Sequence, residues 1–284
     1  MSDTTQNNHF KVALLGNPNS GKSSVFNGLT GLSQKTGNYA GVTVDRQEGK
    51  TSFLQNGNKV SLSILDLPGI YSLFPKSNDE EIACKTLLDE KEKIDVVVIV
   101  VDASSLKRNL LLATQLIDLK FKTVIALNMI DEAEKQDIEI NIPELQAALG
   151  VEIIPLDSRR QKGFSKLKEA IITAKISDSI FYDLNATYIK AFSNYKQFIT
   201  AALSDKKNTN ATRSENADKV YRFNNINYLV AKSVQSPEQL SQKKISAKID
   251  AITTHKVYGY FVLLLVLFLV FQFIFFISET PMNW

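Results

Sequence analysis

Cysteine is almost missing from this 284-residue chain, and its single copy, Cys84, excludes an intrachain disulfide and fits a reducing compartment. Histidine is nearly as scarce. His9 and His255 stand far apart, so no His/Cys metal-ligand set can be named, and Cys84 is expected to be an ordinary helix-face residue. Charge of one sign is also lacking. The 33 Lys and Arg against 30 Asp and Glu leave a net +3, with no basic stripe interleaved with aromatics, so nucleic acid is not an expected partner. No internal repeat or low-complexity tract occurs. The polar start "MSDTTQNNHF" has no apolar centre, and no secretory leader is expected there. What remains is an ordinary packed composition, 44% hydrophobic and 22% charged, in a chain long enough for about two units.

One long apolar run is present. "VYGYFVLLLVLFLVFQFIFFI", 257–277, carries no charge and has Gln272 as its one strongly polar side chain. About 20 apolar residues cross a bilayer as a helix, whereas a core helix apolar on every side would be unusual in so small a domain. His255 and Lys256 before it, and Tyr258 and Tyr260 just inside, suit a membrane interface with the preceding residues on the cytoplasmic side. The short remainder "SETPMNW" reads as a cut, so the chain is expected to be the front of a longer one.

Residues 10–177 alternate strand-like and helix-like stretches. Strands are expected at 10–15, 49–54, 60–65, 95–101, 123–128 and 151–156. Helices are expected near 22–30, 79–90, 105–119, 143–149 and 164–174. Several of the strand stretches are apolar on both faces, as buried parallel strands are. Asn56-Gly57 between two such runs signals a hairpin, hence one antiparallel pair in an otherwise parallel α/β sheet. After residue 177 the apolar spacing becomes helical, with a polar linker expected at 204–218 and a further helix starting near Pro237. The organisation expected is a disordered N-terminus (1–9), an α/β domain (10–177), a small all-helical domain (178–255) and, at 256–284, a first transmembrane helix with the start of a truncated membrane region.

Five short motifs carry the chemistry. "GNPNSGKSS" (Gly16, Asn17, Pro18, Asn19, Ser20, Gly21, Lys22, Ser23, Ser24) has the spacing of a phosphate-cradling loop between a strand and a helix. Its glycines let backbone N–H groups approach phosphate. Lys22 would reach the β- and γ-phosphates, and the Ser23 hydroxyl would bind Mg²⁺. "DLPG" (Asp66, Leu67, Pro68, Gly69) ends a strand: Asp66 suits the Mg²⁺ sphere and the Gly69 amide could reach a γ-phosphate. "NMID" (Asn128, Met129, Asp131) offers a carboxylate for the N1 and N2 hydrogens of guanine, a pair that adenine lacks, with Asn128 bracing the loop. "GVT" (Gly41, Val42, Thr43) supplies a hydroxyl that could join Mg²⁺ when a γ-phosphate is present. "LDSRRQKG" could present a backbone amide near Ser158 and Arg159 to guanine O6, although a plain turn reads nearly as well.

In this order the motifs resemble those of translation-factor-class GTPases, with a P-loop GTPase fold. The wording of "GNPNSGKSSVFNGLTG", "GNYAGVTVDRQEG", "DLPGIYSL", "VVDASSLKRNLLLATQL" and "ALNMIDEAEK" is similar to the cytosolic part of the bacterial ferrous iron transport protein B family. That resemblance covers about 10–175 closely, and the helical segment by architecture. It implies a GTP- and GDP-binding head in which Lys22, Thr43 and Gly69 serve hydrolysis, Thr43 lies in the first switch and Asp66–Gly69 form the second. It also implies that Asn19 holds K⁺ beside the phosphates, where such an ion would offset charge developing in the transition state. Ile70 follows Gly69, a departure from the Ras pattern with its water-orienting glutamine, so hydrolysis is expected to be slow, with backbone groups placing the water. Ser158-Arg159 departs from the common wording of the fifth motif.

By the same resemblance the helical segment would be GDI-like, favouring the GDP state. The location would be the bacterial inner membrane, multi-pass, with ferrous iron handled beyond Trp284. A second copy of the chain and small cytosolic accessory proteins are further candidate partners. Two rival readings stay open: a regulatory GTPase with no transport role, and a membrane-tethered receptor GTPase that docks a partner protein.

Overall fold

The computed structural model describes residues 9–31, 34–38, 45–183, 185–186, 190, 192, 194–204, 209–235, 264–265 and 267–272, the side chains of 34–46 and 209–212 excepted. Residues 1–234 form one compact unit and 235–284 a second. The first is built on seven strands, in the order β2 (Gln34–Asn38), β3 (Asp45–Gln55), β4 (Asn58–Asp66), β1 (His9–Gly16), β5 (Val96–Asp102), β6 (Thr123–Asn128) and β8 (Glu152–Pro155). Among these β3 alone runs against the others. It pairs antiparallel with both β2 and β4, so the one antiparallel pair expected from the hairpin is in fact two. The extra ladder comes from β2, whose Gln-Lys-Thr-Gly-Asn has no apolar alternation and is defined by its partner. The hairpin itself turns at Asn56 and Gly57, both with positive φ (51° and 82°), as a two-residue turn requires.

Alternation along β5 builds a core on each face of the sheet. Val96, Val98 and Val100 join Val12, Leu14, Leu62 and Ile64 under α1 (Lys22–Thr30) and α6 (Phe164–Thr173). Val97, Ile99 and Val101 join Ala13, Leu15, Ile125 and Leu127 under α2 (Asn78–Leu88), α3 (Leu106–Asp118) and α5 (Ile142–Leu149). Both neighbours of β5 run parallel to it, so every residue from 96 to 101 is buried and the strand reads as an unbroken apolar run. α2 starts at Ser77, whose hydroxyl accepts the Glu80 N–H at 3.3 Å, with Asp79, Glu80 and Glu81 complementing the positive helix end. Cys84 is buried on its core side. A short α4 (Ile130–Lys135) precedes α5, and β7 (Glu139–Ile140) pairs with β9 (Val234–Gln235) in a small ribbon.

The helical stretch expected after residue 177 supplies α7 (Tyr195–Ser204) and α8 (Thr209–Ser233). α8 begins inside the polar run anticipated as a linker at 204–218; its polar residues line a helix that is largely solvent-facing, and polarity alone did not break it. Phe198, Ile199, Ile226 and Val230 extend the core over α3, and Phe198 meets the edge of Phe74 at 5.8 Å. Beneath them lies a buried charge cluster. Arg222 of α8, wholly inaccessible, donates to Asp118 of α3 at 2.5 Å and to Asp218 at 2.9 Å. Tyr195 donates its hydroxyl to Asp218 at 3.0 Å and lies under the guanidinium at 4.5 Å. Asp118 also accepts the Phe181 N–H at 3.0 Å.

In the second unit, 264–265 and 267–272 are helical, and 264–265 and 267–271 expose apolar side chains. Most of the expected span at 257–277, and the helix expected from Pro237, lie outside the described residues. Among the described residues no helix is long and apolar enough to cross a membrane.

Candidate functional site

Parallel pairing sets Leu14 beside Asp66 and Gly16 beside Val100, so the carboxyl ends of β1, β4, β5 and β6 open on one edge of the sheet. In open α/β sheets, ligands bind at that edge. Gly16 ends β1 there. A Cβ on it would stand 2.7 Å from the Val100 carbonyl oxygen, so the close approach of the two chains requires glycine. The loop then turns through Asn19 (φ 67°) to Gly21 (φ 84°), which begins α1. Side chains are disfavoured at that φ, and a Cβ on Gly21 would run into the Asn128 amide. No side chain caps α1 and its first turn holds no acid. The first-turn N–H groups therefore remain directed along the helix axis with its positive end, a geometry that favours phosphate.

Asn128 ties three loops together. Fully buried at the end of β6, it donates from Nδ2 to the Ser20 carbonyl at 3.1 Å and accepts the Ser158 N–H on Oδ1 at 3.2 Å. Asn128 is thus a physical bridge between the phosphate loop and the loop after β8. Met129 takes a left-handed φ of 59°, and Asp131 follows in the first turn of α4 with its side chain 18% exposed, 4.0 Å from Lys135. Ser158 is buried, and the Arg159 guanidinium reaches to Glu132 at 3.0 Å. The turn is closed by Asp157, which pairs with Lys162 and accepts the Arg160 N–H at 2.9 Å.

Lys22 and Asp66 form an ion pair, their side chains 14% and 10% exposed. Burial raises the Asp66 carboxyl above its ordinary range, and the Lys22 charge and hydrogen bond offset part of that rise. The Asp66 carboxylate and the exposed Ser23 hydroxyl are hard oxygen donors flanking one loop, a donor set that fits Mg²⁺. Asn19 is exposed in the left-handed turn. Pro18 and Ser24 are also exposed. Asn17 is buried, donating to the Arg108 carbonyl at 3.3 Å, while its Oδ1 and the Ser20 hydroxyl meet no partner among the described residues.

Gly69 lies against the phosphate loop, where a Cβ would come 3.3 Å from the Pro18 nitrogen. The next residue fastens the two loops, with the Ile70 N–H donating to the Gly16 carbonyl at 3.1 Å. The Ile70 side chain is buried in the core, as is Leu67, so neither can orient water. Pro68 is half-buried between them. Gly41, Val42 and Thr43 lie outside the described residues. Sequence reasoning missed the contribution of α3. Its Arg108 stacks over Tyr71 at 4.5 Å and its Gln115 accepts the Leu73 N–H at 2.8 Å. The signal available was polar residues, Asn109, Gln115 and Asp118, recurring within an otherwise buried apolar helix.

The family model described as ferrous iron transport protein B matches residues 10–171. The Fe(2+) transporter FeoB of Escherichia coli strain K12 is 46% identical over 173 residues, 60% of this chain and 22% of the transporter. The cytosolic domain of the T. maritima FeoB iron transporter in GDP form I superposes with a TM-score of 0.69 at 27% identity, covering 80% of this chain and 98% of that one. The same domain in its GMPPNP form gives a TM-score of 0.67 at 26% identity, covering 80% and 100%. The fold is accordingly the P-loop GTPase fold. The chain spans about a fifth of the length of the curated relatives it matches.

Proposed function

This chain belongs to the ferrous iron transport protein B family, and from that premise we propose that it is the GTP-binding and GTP-hydrolysing cytosolic head of a bacterial ferrous iron transporter. The observation that carries the proposal is the double bridge of Asn128. It couples a loop built for phosphate to a loop whose Asp131 carboxylate can accept two guanine hydrogens.

GTP lies with its phosphates against the first turn of α1 and Lys22, which exchanges its contact with Asp66 for the β- and γ-phosphates. Asp131 reads the base, and the backbone at Ser158 and Arg159 faces guanine O6. Ser23, Asp66 and Thr43 would hold Mg²⁺, which when bound neutralises phosphate charge; Asn19 would hold K⁺. With Ile70 turned into the core, the Gly69 amide and neighbouring backbone groups place the attacking water, and hydrolysis is slow. A γ-phosphate orders the Thr43 and Gly69 loops and its loss releases them.

The division into a polar N-terminus (1–9), GTPase domain (10–177), GDI-like helical domain (178–255) and first membrane helix (256–284) of a multi-pass inner-membrane protein belongs to this proposal. So does an iron path beyond Trp284. Among the described residues no group of three or more His, Cys, Asp and Glu could hold a metal ion. The test is phosphate release from GTP by the purified chain with Mg²⁺, alongside iron accumulation in cells carrying the full-length gene. GTP turnover lost with Lys22→Ala, together with lost iron uptake, is expected. GTP turnover with unchanged iron uptake would favour the regulatory or receptor reading instead.

A further inference from the structure

Gln115 sits in the middle of α3 with its side chain wholly buried, at a place where the surrounding core would accept leucine. Its Oε1 accepts the Leu73 N–H at 2.8 Å, while its Nε2 meets no hydrogen-bond partner among the described residues. The orientation of the amide follows from chemistry, because an N–H needs an oxygen opposite it. A buried amide satisfied at one end is a net cost to the fold, so stability does not explain a glutamine here.

What the bond holds is the chain that follows Gly69. Leu73 is the fourth residue after that glycine, and the stretch between is fastened at each step. The Ile70 N–H meets the Gly16 carbonyl at 3.1 Å, and Ile70, Leu73 and Phe74 are buried. Two turns back along the same face of α3, Arg108 stacks its guanidinium on Tyr71 at 4.5 Å. The Arg108 carbonyl also accepts the Asn17 amide of the phosphate loop at 3.3 Å. One rigid helix therefore grips both loops that border the γ-phosphate position.

We propose that Gln115 is a positioning residue for GTP hydrolysis: from α3 it fixes the backbone after Gly69, and thereby the Gly69 amide, relative to the phosphate loop. The inference rests on the GTPase reading above. It separates two nucleotide states, because the groups that hold GDP (α1, Lys22, Asn128, Asp131) make no contact with Gln115. Only the γ-phosphate and the attacking water depend on Gly69.

The experiment compares the purified chain with its Gln115→Met and Gln115→Glu variants. Methionine keeps the volume and removes the acceptor; glutamate keeps an oxygen facing Leu73. Steady-state GTP hydrolysis and binding of a fluorescent GDP analogue are both measured. Gln115→Met is expected to lower kcat about tenfold, the loss of one positioning hydrogen bond, with KM and GDP affinity within about twofold of the parent. Gln115→Glu is expected to recover most of the rate. A Gln115→Met kcat equal to the parent overturns the proposal, and so does a parallel fall in kcat and GDP affinity, which marks a merely structural residue. A parent chain that hydrolyses no GTP overturns the GTPase reading itself, which the parent control reports separately.

Discussion

Replacing Arg222 by methionine keeps an apolar stem of similar reach and deletes the charge that joins α8 to α3. In the parent, Arg222 is fully buried and bonded at 2.5 Å and 2.9 Å to two equally inaccessible carboxylates, Asp118 and Asp218. Removing one member of such a buried pair costs about 3–5 kcal/mol, because the partner charge is left uncompensated away from water. Against a typical total of about 5–15 kcal/mol, that is a large share. The pH dependence has a definite sign. Burial already raises the Asp118 carboxyl, and the Arg222 charge is among the groups that pull it back down. In the variant that restraint is gone, so the folded-state value rises further above the unfolded one. A raised folded value contributes stability that is complete below the unfolded pKa and is lost as pH rises through the folded one. Urea unfolding followed by far-ultraviolet circular dichroism should therefore show the Arg222→Met deficit at pH 8 shrinking at pH 5.5. Replacing all three residues by apolar ones (Asp118→Leu, Asp218→Leu, Arg222→Met) should recover most of the loss. A deficit under about 1 kcal/mol, or one equal at both pH values, would refute the cluster's role as a buried, mutually dependent unit.

Two further outcomes follow from the site. Asn128→Ala leaves both the Ser20 carbonyl and the Ser158 N–H without their buried partner, and should lower thermal stability by about 2–6 kcal/mol, at about 1–3 kcal/mol per stranded group, read by calorimetry. It should weaken GDP and GTP binding equally, since it holds the loops rather than touching the γ-phosphate. Asn19→Ala should abolish any excess of GTP hydrolysis in K⁺ over Na⁺ while leaving GDP affinity within about twofold; equal rates in the two ions for the parent chain would remove the potassium proposal.

Much of this architecture could be read from periodicity. The helix at 22–30 and the strand at 123–128 fall where the residue pattern sets them, since β1, β5 and β6 are defined by burial on both faces and α1 by the glycine that precedes it. β2 could not be read, because a polar edge strand exists only through its partner β3. α4 was missed because it is six residues long and starts from the unusual left-handed φ of Met129. α8 intruded on the expected linker because the polar run is helical from Thr209 onward and continues into the residues that pack on α3. At the site, the phosphate loop and Asn128 announce themselves by local spacing. Arg108 and Gln115 do not, as their partners lie 37 and 42 positions back in the chain, and only folding brings α3 onto Tyr71 and Leu73. The Asp118–Arg222 pair, 104 positions apart, is equally invisible to local patterning.

The most direct test of the account is displacement of a bound fluorescent GDP by unlabelled GTP and by ATP, for the parent chain and for Asp131→Ala. The parent is predicted to require at least about a hundredfold more ATP than GTP, and the variant to lose that difference. A parent chain displaced equally by both, or an Asp131→Ala variant that still prefers guanine, would contradict it.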